Sequence, residues 1–85
     1  LELAPRFIDA LVNIGILYHG VGKKEEALAA FAKAVEYDPK YAPAYKNIAL
    51  VHYYAGDRAA AKEYYLKAKE LGLTDTELEK LLTAT

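Results

Sequence analysis

The stretch that decides the fold is residues 27–39, which read ALAAFAKAVEYDP. Five of its residues are small or apolar and recur at spacings of three and four: Ala27, Leu28, Phe31, Ala34 and Val35. At 3.6 residues per turn this spacing places them on one face of a helix, with most of the charged side chains opposite. The pattern predicts an amphipathic helix with a small–aromatic–small stripe. Nowhere does the chain alternate apolar with polar residues over the length of a strand, so we expect an all-α fold.

The same stripe returns in residues 61–73, AKEYYLKAKELGL, where it consists of Ala61, Tyr65, Ala68 and Leu71. Residues that interrupt helices separate the periodic stretches at regular intervals: Gly22, Pro39, Gly56 and Gly72. We therefore expect helices near residues 6–20, 23–37, 42–55 and 58–71 and a short fifth near 75–83. Thr74 and Glu77 stand three residues apart ahead of that fifth helix and are typical of a capping box.

An internal repeat emerges when the chain is compared with itself at an offset of 34 residues. The identical pairs are Ala10/Ala44, Asn13/Asn47, Ile14/Ile48, Gly22/Gly56, Ala27/Ala61, Lys33/Lys67, Ala34/Ala68 and Glu36/Glu70. Each unit consists of two helices and a turn. Repetition of such a unit predicts an α-solenoid of stacked antiparallel helical hairpins.

This unit resembles the tetratricopeptide repeat, whose pattern is W-x2-L-G-x2-Y, then A-x3-F, then P. In residues 8–41 the pattern is carried by Leu11, Ile14, Gly15, Tyr18, Ala27, Phe31, Ala34 and Pro39. In residues 42–75 it is carried by Tyr45, Ile48, Ala49, Ala61, Tyr65 and Ala68, with His52 in place of the tyrosine and Leu73 in place of the proline. The resemblance implies one domain of about five helices arranged as a right-handed superhelix.

The two ends of the chain carry further signals. Residues 1–5 are similar to residues 35–39, so we interpret residues 1–7 as the tail of a preceding repeat; a native extension that matches by chance is the alternative. Residues 74–85 are expected to form a capping helix with a polar outer face. Its apolar residues, expected to cover the last hairpin, are Leu78, Leu81 and Leu82. Its charged residues, expected to face water, are Glu77, Glu79 and Lys80.

Composition excludes several classes of function. With 85 residues the chain is long enough for one small domain. It has no cysteine, which excludes disulfides, thiolate zinc sites and a cysteine nucleophile, and no serine nucleophile either. A net charge of −1 gives no basic patch for nucleic acid, and no stretch is long enough to span a membrane. We expect a cytoplasmic protein without a signal peptide, without a cofactor or metal, and without enzymatic activity.

The two histidines do not change this expectation. Neither His19 nor His52 has a second histidine or an acidic residue at metal-ligand spacing. His52 lies on the stripe that packs between helices, so we expect it to be buried or half-buried. His19 is expected to face a groove between hairpins.

Binding in this family usually occurs on the concave side, which the first helix of each hairpin lines. Seven residues are the predicted peptide-binding set: Asn13, Ile16, His19, Lys46, Asn47, Leu50 and Tyr53. Further predicted groove positions are Asp9, Val12, Pro43 and Tyr54. The two asparagines repeat at 34, and an amide can bond both the N–H and the C=O of an extended peptide; the alternative is that each bonds only a helix backbone.

One subclass of the family clamps the C-terminal carboxylate of a peptide with a Lys and an Asn four residues apart, an Asn on the next first helix and basic residues on the third. Here Val12 and Ile16 occupy the places of the first pair, and Glu77 and Leu81 stand where the basic residues belong. Asn47 alone matches. We therefore expect an apolar or amphipathic peptide instead, with Tyr53 as an aromatic anchor and Lys46 as a charge contact.

These observations predict a protein–protein interaction module, part of a larger scaffold or assembly protein, that binds a peptide or helix in its concave groove. The alternative is a structural or engineered fragment of a longer repeat array that self-associates by end-to-end stacking. In that case a homo-oligomer would form through the exposed face of the first hairpin, where Phe7, Leu11 and Tyr18 are expected to be partly uncovered.

Overall fold

The computed structural model describes the backbone of residues 5–83 and the side chains of residues 7–83. Within that range the chain forms five helices in sequence: α1 (Pro5–Gly20), α2 (Lys24–Tyr37), α3 (Ala42–Tyr54), α4 (Arg58–Glu70) and α5 (Thr76–Thr83). The helix positions predicted from periodicity are confirmed to within one residue at each end. The predicted repeat tail lies mostly outside the described residues, as does the end of the capping helix beyond Thr83.

Three glycines reverse the chain after α1, α3 and α4. Gly22, Gly56 and Gly72 have φ angles of 82°, 90° and 100°, in the left-handed region that favours glycine. After α1, the N–H of Lys23 donates to the carbonyl of Tyr18 at 2.8 Å, which satisfies a carbonyl that the helix end leaves unpaired. The same bond recurs 34 residues later, so both hairpins turn in the same way.

Within each hairpin the two helices approach closely at small residues. A Cβ on Gly15 would lie 2.5 Å from Cε1 of Phe31, so only glycine allows α1 to contact the ring of Phe31 at this position. Ala27 and Ala34 on α2 are fully buried. The corresponding residues of the second hairpin, Ala49, Ala61 and Ala68, are fully buried as well. The stripe predicted from sequence is therefore the contact surface between helices.

The second hairpin stacks on the first through α3. Ala44, Ile48 and Val51 of α3 are buried in one cluster with Phe31 of α2 and Ile8 of α1. At the junction, the hydroxyl of Tyr45 donates to the carbonyl of Pro39 at 2.9 Å. The result is a continuous core of stacked antiparallel hairpins, as expected for an all-α solenoid.

The segment between α4 and α5 departs from expectation. Leu71 was predicted to extend the buried stripe, but it is 37% exposed. Because α4 ends at Glu70 and Gly72 reverses the chain, Leu73 packs instead against the cluster that contains Tyr45. The predicted capping box is also wrong in its details: the carboxylate of Asp75 accepts from the N–H of Leu78 at 3.0 Å, so Asp75 caps the helix.

Helix α5 covers the second hairpin, with one apolar residue fewer than predicted. Leu78 and Leu82 are buried against α4, whereas Leu81 lies on the other side of α5 and is 38% exposed. Glu77 and Lys80 are exposed, as expected. Glu79 was expected to face water but is half-buried and binds α4. The cap is thus held by polar contacts as well as by leucines.

Candidate peptide-binding groove

The first helices of the two hairpins, α1 and α3, lie next to each other and present equivalent positions. Six of the seven predicted site residues form pairs separated by 34 residues: Asn13/Asn47, Ile16/Leu50 and His19/Tyr53. All six are exposed or half-buried. The pairs form three rows across two neighbouring helices, an asparagine row, an aliphatic row and an aromatic row, and we call this surface the α1/α3 groove.

The two asparagines differ in what they have available for a ligand. The Nδ2 of Asn47 donates to the carbonyl of Pro43, one turn earlier in α3, at 2.8 Å. This is the helix-backbone bond that the alternative interpretation anticipates, and it leaves the second N–H and the carbonyl oxygen of the Asn47 side chain for a ligand. Asn13 is exposed, and its amide bonds no other residue among those described. Asn13 therefore offers both N–H groups and its carbonyl oxygen, and Asn47 offers one N–H group and its carbonyl oxygen.

The aliphatic row is shorter than the sequence suggested. Ile16 is 45% exposed, and Leu50 is half-buried against the cluster that contains Leu78. Val12 was predicted to extend this row, but it is only 5% exposed. Because Val12 follows Ile8 by one helical turn, both side chains pack into the core around Phe31.

An aromatic cluster closes one end of the groove. The ring of His19 on α1 lies 5.7 Å from the ring of Tyr54 on α3, and Tyr54 lies 5.3 Å from Tyr53 in an edge-on arrangement. The guanidinium of Arg58 lies over the ring of Tyr53 at 5.7 Å from its centre. Tyr54 is 68% exposed, so the cluster presents a large aromatic surface to solvent.

Sequence reasoning placed Tyr54 among the further groove positions, outside the predicted peptide-binding set, and missed Arg58. The signal for Tyr54 was its spacing of four residues from Leu50, which places the two on one face of α3. Arg58 could not be found in this way because it belongs to α4. The turn at Gly56 and Asp57 brings it back beside Tyr53.

Two charged positions of the predicted groove are engaged within the protein. The Nζ of Lys46 lies 3.8 Å from a carboxylate oxygen of Asp75, and both side chains are about one third exposed at 30% and 31%. At the other end, Asp9 accepts a hydrogen bond from the hydroxyl of Tyr41. Lys46, predicted to make a charge contact with a ligand, thus already lies beside a carboxylate of the segment between α4 and α5.

Outside the groove, three side chains join α5 to α4. The Nζ of Lys69 donates to Oε1 of Glu79 at 2.6 Å, and the hydroxyl of Tyr65 donates to Oε2 of Glu79 at 3.1 Å. The hydrogen bond from Lys69, followed by that from Tyr65, lowers the pKa of Glu79 below its usual 4.5. The same bond and the charge of Glu79 raise the pKa of Lys69 above 10.5.

The remaining histidine has a structural environment. His52 is half-buried, as predicted, and its ring stacks on that of Tyr64 at 5.4 Å with an angle of 5° between the planes. Among residues 5–83, no group of three or more His, Cys, Asp or Glu side chains is placed to hold a metal ion. In the same range no helix has the length and apolar character needed to cross a membrane.

Known proteins match the chain in the regions that the repeat defines. Residues 8–41 match a family model described as "Tetratricopeptide repeat", and residues 42–71 match a second model with the same description. The Photosystem I assembly protein Ycf3 of Rippkaea orientalis is 37% identical over 49 residues, 58% of this chain and 28% of that protein. The probable UDP-N-acetylglucosamine–peptide N-acetylglucosaminyltransferase SPINDLY of Petunia hybrida is 39% identical over 51 residues, 60% of this chain and 6% of that protein. The chain thus spans under a third of either relative.

Proposed function

The chain belongs to the tetratricopeptide repeat family, and we propose that it is a protein–protein interaction module that binds a peptide in the α1/α3 groove. The repeat is a protein-interaction repeat and is typically non-catalytic, so no catalytic step is assigned to the groove. One relative is named as an assembly protein, which supports a role for this chain within a larger scaffold or assembly.

The observation that carries the groove proposal is the alignment of equivalent, partly exposed residues on α1 and α3. A peptide that crosses both helices meets an amide, an aliphatic side chain and an aromatic ring twice, at equivalent positions. Asn13 and Asn47 would bond the peptide backbone, and Ile16 with Leu50 would contact its apolar side chains. Tyr54, rather than the predicted Tyr53, would supply the main anchor because Tyr54 is 68% exposed, whereas Tyr53 is half-buried.

The chemistry of the groove favours an apolar or amphipathic ligand over a charged one. Lys46 is paired with Asp75, and Arg58 lies over the ring of Tyr53, so both cations already have contacts within the protein. The aliphatic and aromatic rows contain no carboxylate. A peptide with two apolar side chains and uncharged ends suits this surface.

The test uses peptides selected from a displayed library of random twelve-residue sequences against the full chain. Binding of each selected peptide is measured by calorimetry to the wild type, to Tyr54→Ala and to Asn13→Ala. We expect each substitution to weaken binding about tenfold or more, which is the effect of losing a hot-spot contact.

Tyr37→Ala is the matched control, because Tyr37 is an exposed tyrosine of α2, outside the groove, at 41% exposure. It should leave the affinity unchanged. If Tyr37→Ala weakens peptide binding and Tyr54→Ala does not, the binding surface is elsewhere and the groove proposal fails.

A further inference from the structure

A cavity of about 250 Å³ lies between α4 and α5, outside the α1/α3 groove. Six of the residues that line it define what we call the α4/α5 pocket: Lys62, Tyr65, Leu66, Lys69, Glu79 and Leu82. Tyr65 and Leu82 are buried and form its apolar floor, whereas Leu66 is 56% exposed and forms an apolar side. The pocket is therefore an apolar surface that a ligand can reach from solvent.

The internal repeat indicates which kind of group packs on a surface of this kind. The residues 34 positions before the six pocket residues are Leu28, Phe31, Ala32, Val35, Tyr45 and Ile48. Tyr64 of α4 packs against the clusters that contain Phe31, Tyr45 and Ile48. In the first hairpin an aromatic side chain thus packs against the equivalent surface.

The charges around the α4/α5 pocket distinguish it from its equivalent. Lys62 and Lys69 stand where the first hairpin has Leu28 and Val35. The Nζ of Lys69 is paired with Glu79 at 2.6 Å, whereas Lys62 makes no ion pair with any residue that the structure describes. An uncharged partner would desolvate Lys62 without pairing its charge, whereas an anionic group would pair it.

We propose that the α4/α5 pocket binds a small aromatic carboxylate. The ring of this ligand packs against Tyr65, Leu66 and Leu82, and its carboxylate pairs with Lys62. The cavity volume of about 250 Å³ lies just below the range of pockets for drug-sized ligands, about 300–1,000 Å³, which suits a compact aromatic acid. Because the pocket lies outside the α1/α3 groove, this proposal and the peptide-binding proposal can be tested independently.

The test titrates naphthoate into the isotopically labelled full chain and follows the methyl signals of Leu66 and Leu82 by NMR. We expect saturable shift changes at both residues, with a Kd of about 1 mM or lower for a ligand of this size. Naphthamide has the same ring without the charge, so it should bind about twofold to fivefold more weakly. Shift changes that do not saturate, or equal affinity for the two compounds, would overturn the proposal.

Lys62→Gln makes the test specific to the charge in the pocket. It should weaken the binding of naphthoate about twofold to fivefold and leave the binding of naphthamide unchanged. Lys80→Gln, at an exposed lysine of α5 that does not line the pocket, is the matched control and should change neither affinity. Equal weakening by the two substitutions would show that the overall charge of the chain, rather than Lys62, attracts the acid.

Leu66→Ala tests the apolar side of the pocket. It should weaken the binding of both compounds about fourfold or more, because the ring loses its contact with the leucine side chain. Leu81→Ala, at an exposed leucine of α5 outside the pocket, is the control and should leave both affinities unchanged. Weakening by Leu81→Ala alone would place the acid elsewhere. Shift changes at Leu66 and Leu82 when the chain is concentrated without either compound would show that a second copy occupies the pocket instead.

Discussion

The two hairpins have the same stripe but different aromatic residues at its centre, and the difference follows from what lies next to each. In the first hairpin Phe31 is 1% exposed and its ring fills the space that Gly15 leaves open. In the second hairpin Tyr65 is 4% exposed, faces Ala49 and carries a hydroxyl that reaches α5. Of these two equivalent residues, Phe31 packs only in the core, whereas Tyr65 packs in the core and also helps to hold α5 on the second hairpin.

The largest expected effect is at the purely apolar centre. Phe31→Ala would remove a ring from the cluster that joins α1, α2 and α3, at a cost of about 3–5 kcal/mol in the free energy of unfolding. Small domains have a free energy of unfolding of about 5–15 kcal/mol in total, so the variant should unfold at a much lower temperature than the wild type. Circular dichroism during thermal unfolding measures this. A near-native Tm would show that Phe31 is not the centre of the core.

The next largest effect on stability concerns Gly15 and Ala49, the small residues that face Phe31 and Tyr65. Gly15→Ala should destabilise the chain by about 1–3 kcal/mol, because the new Cβ would lie 2.5 Å from the ring of Phe31. Ala49→Gly, the equivalent change in reverse, should cost about 1 kcal/mol from helix propensity. Urea unfolding of both variants gives the two values. A stabilising Gly15→Ala would mean that the first hairpin has room for the methyl group.

A smaller effect separates the two aromatic residues themselves. Tyr65→Phe would leave Glu79 without one of its two donors and should cost about 0.5–1.5 kcal/mol. Phe31→Tyr should also destabilise, since it would place a hydroxyl in an apolar cluster. Amide hydrogen exchange distinguishes the two variants. Tyr65→Phe should speed exchange in α5, and Phe31→Tyr should speed exchange mainly in α1 and α2. The reverse distribution would contradict the role given to the Tyr65 hydroxyl.

The smallest effect concerns pH. Because the pKa of Glu79 is lowered in the folded protein, its contribution to stability is present above pH 4.5 and is lost as the pH falls through the folded-state pKa. The side chains are solvent-accessible, so this contribution is small. We expect α5 amides to exchange faster, relative to those of α3, as the pH falls below 4.5.

Glu79→Gln should reduce that acid response of α5, and Glu77→Gln, at an exposed residue of the same helix, should not. The measurement is hydrogen exchange corrected for the intrinsic pH dependence of the amides. An acid response of equal size in both variants would show that Glu79 does not hold the cap.

The helices and the stripe could be predicted because they depend on local spacing. Ala27, Phe31 and Ala34 lie on one helical face wherever the helix is placed, and a repeat of 34 residues indicates that hairpins stack. The contacts of Lys46 with Asp75 and of Lys69 with Glu79 could not be predicted in this way. They depend on how the segment after Gly72 returns to the hairpin.

The groove residues differ in the same way: helical spacing predicted some of them correctly and others not. Ile16 and Tyr54 could be placed by helical spacing, and both are exposed. Val12 was misplaced because spacing alone does not show how wide the buried face of α1 is, and the cluster around Phe31 reaches as far as Val12. The environment of Asn47 depends on a bond to Pro43 that occupies one of its two N–H groups.

The most direct test of the groove proposal is a two-dimensional NMR titration of the isotopically labelled chain with a library-selected peptide. The account predicts that shift changes concentrate on Asn13, Ile16, Asn47, Leu50 and Tyr54. Shift changes confined to Ile14 and Leu17, exposed residues of α1 outside the groove, with the groove residues unmoved, would contradict it.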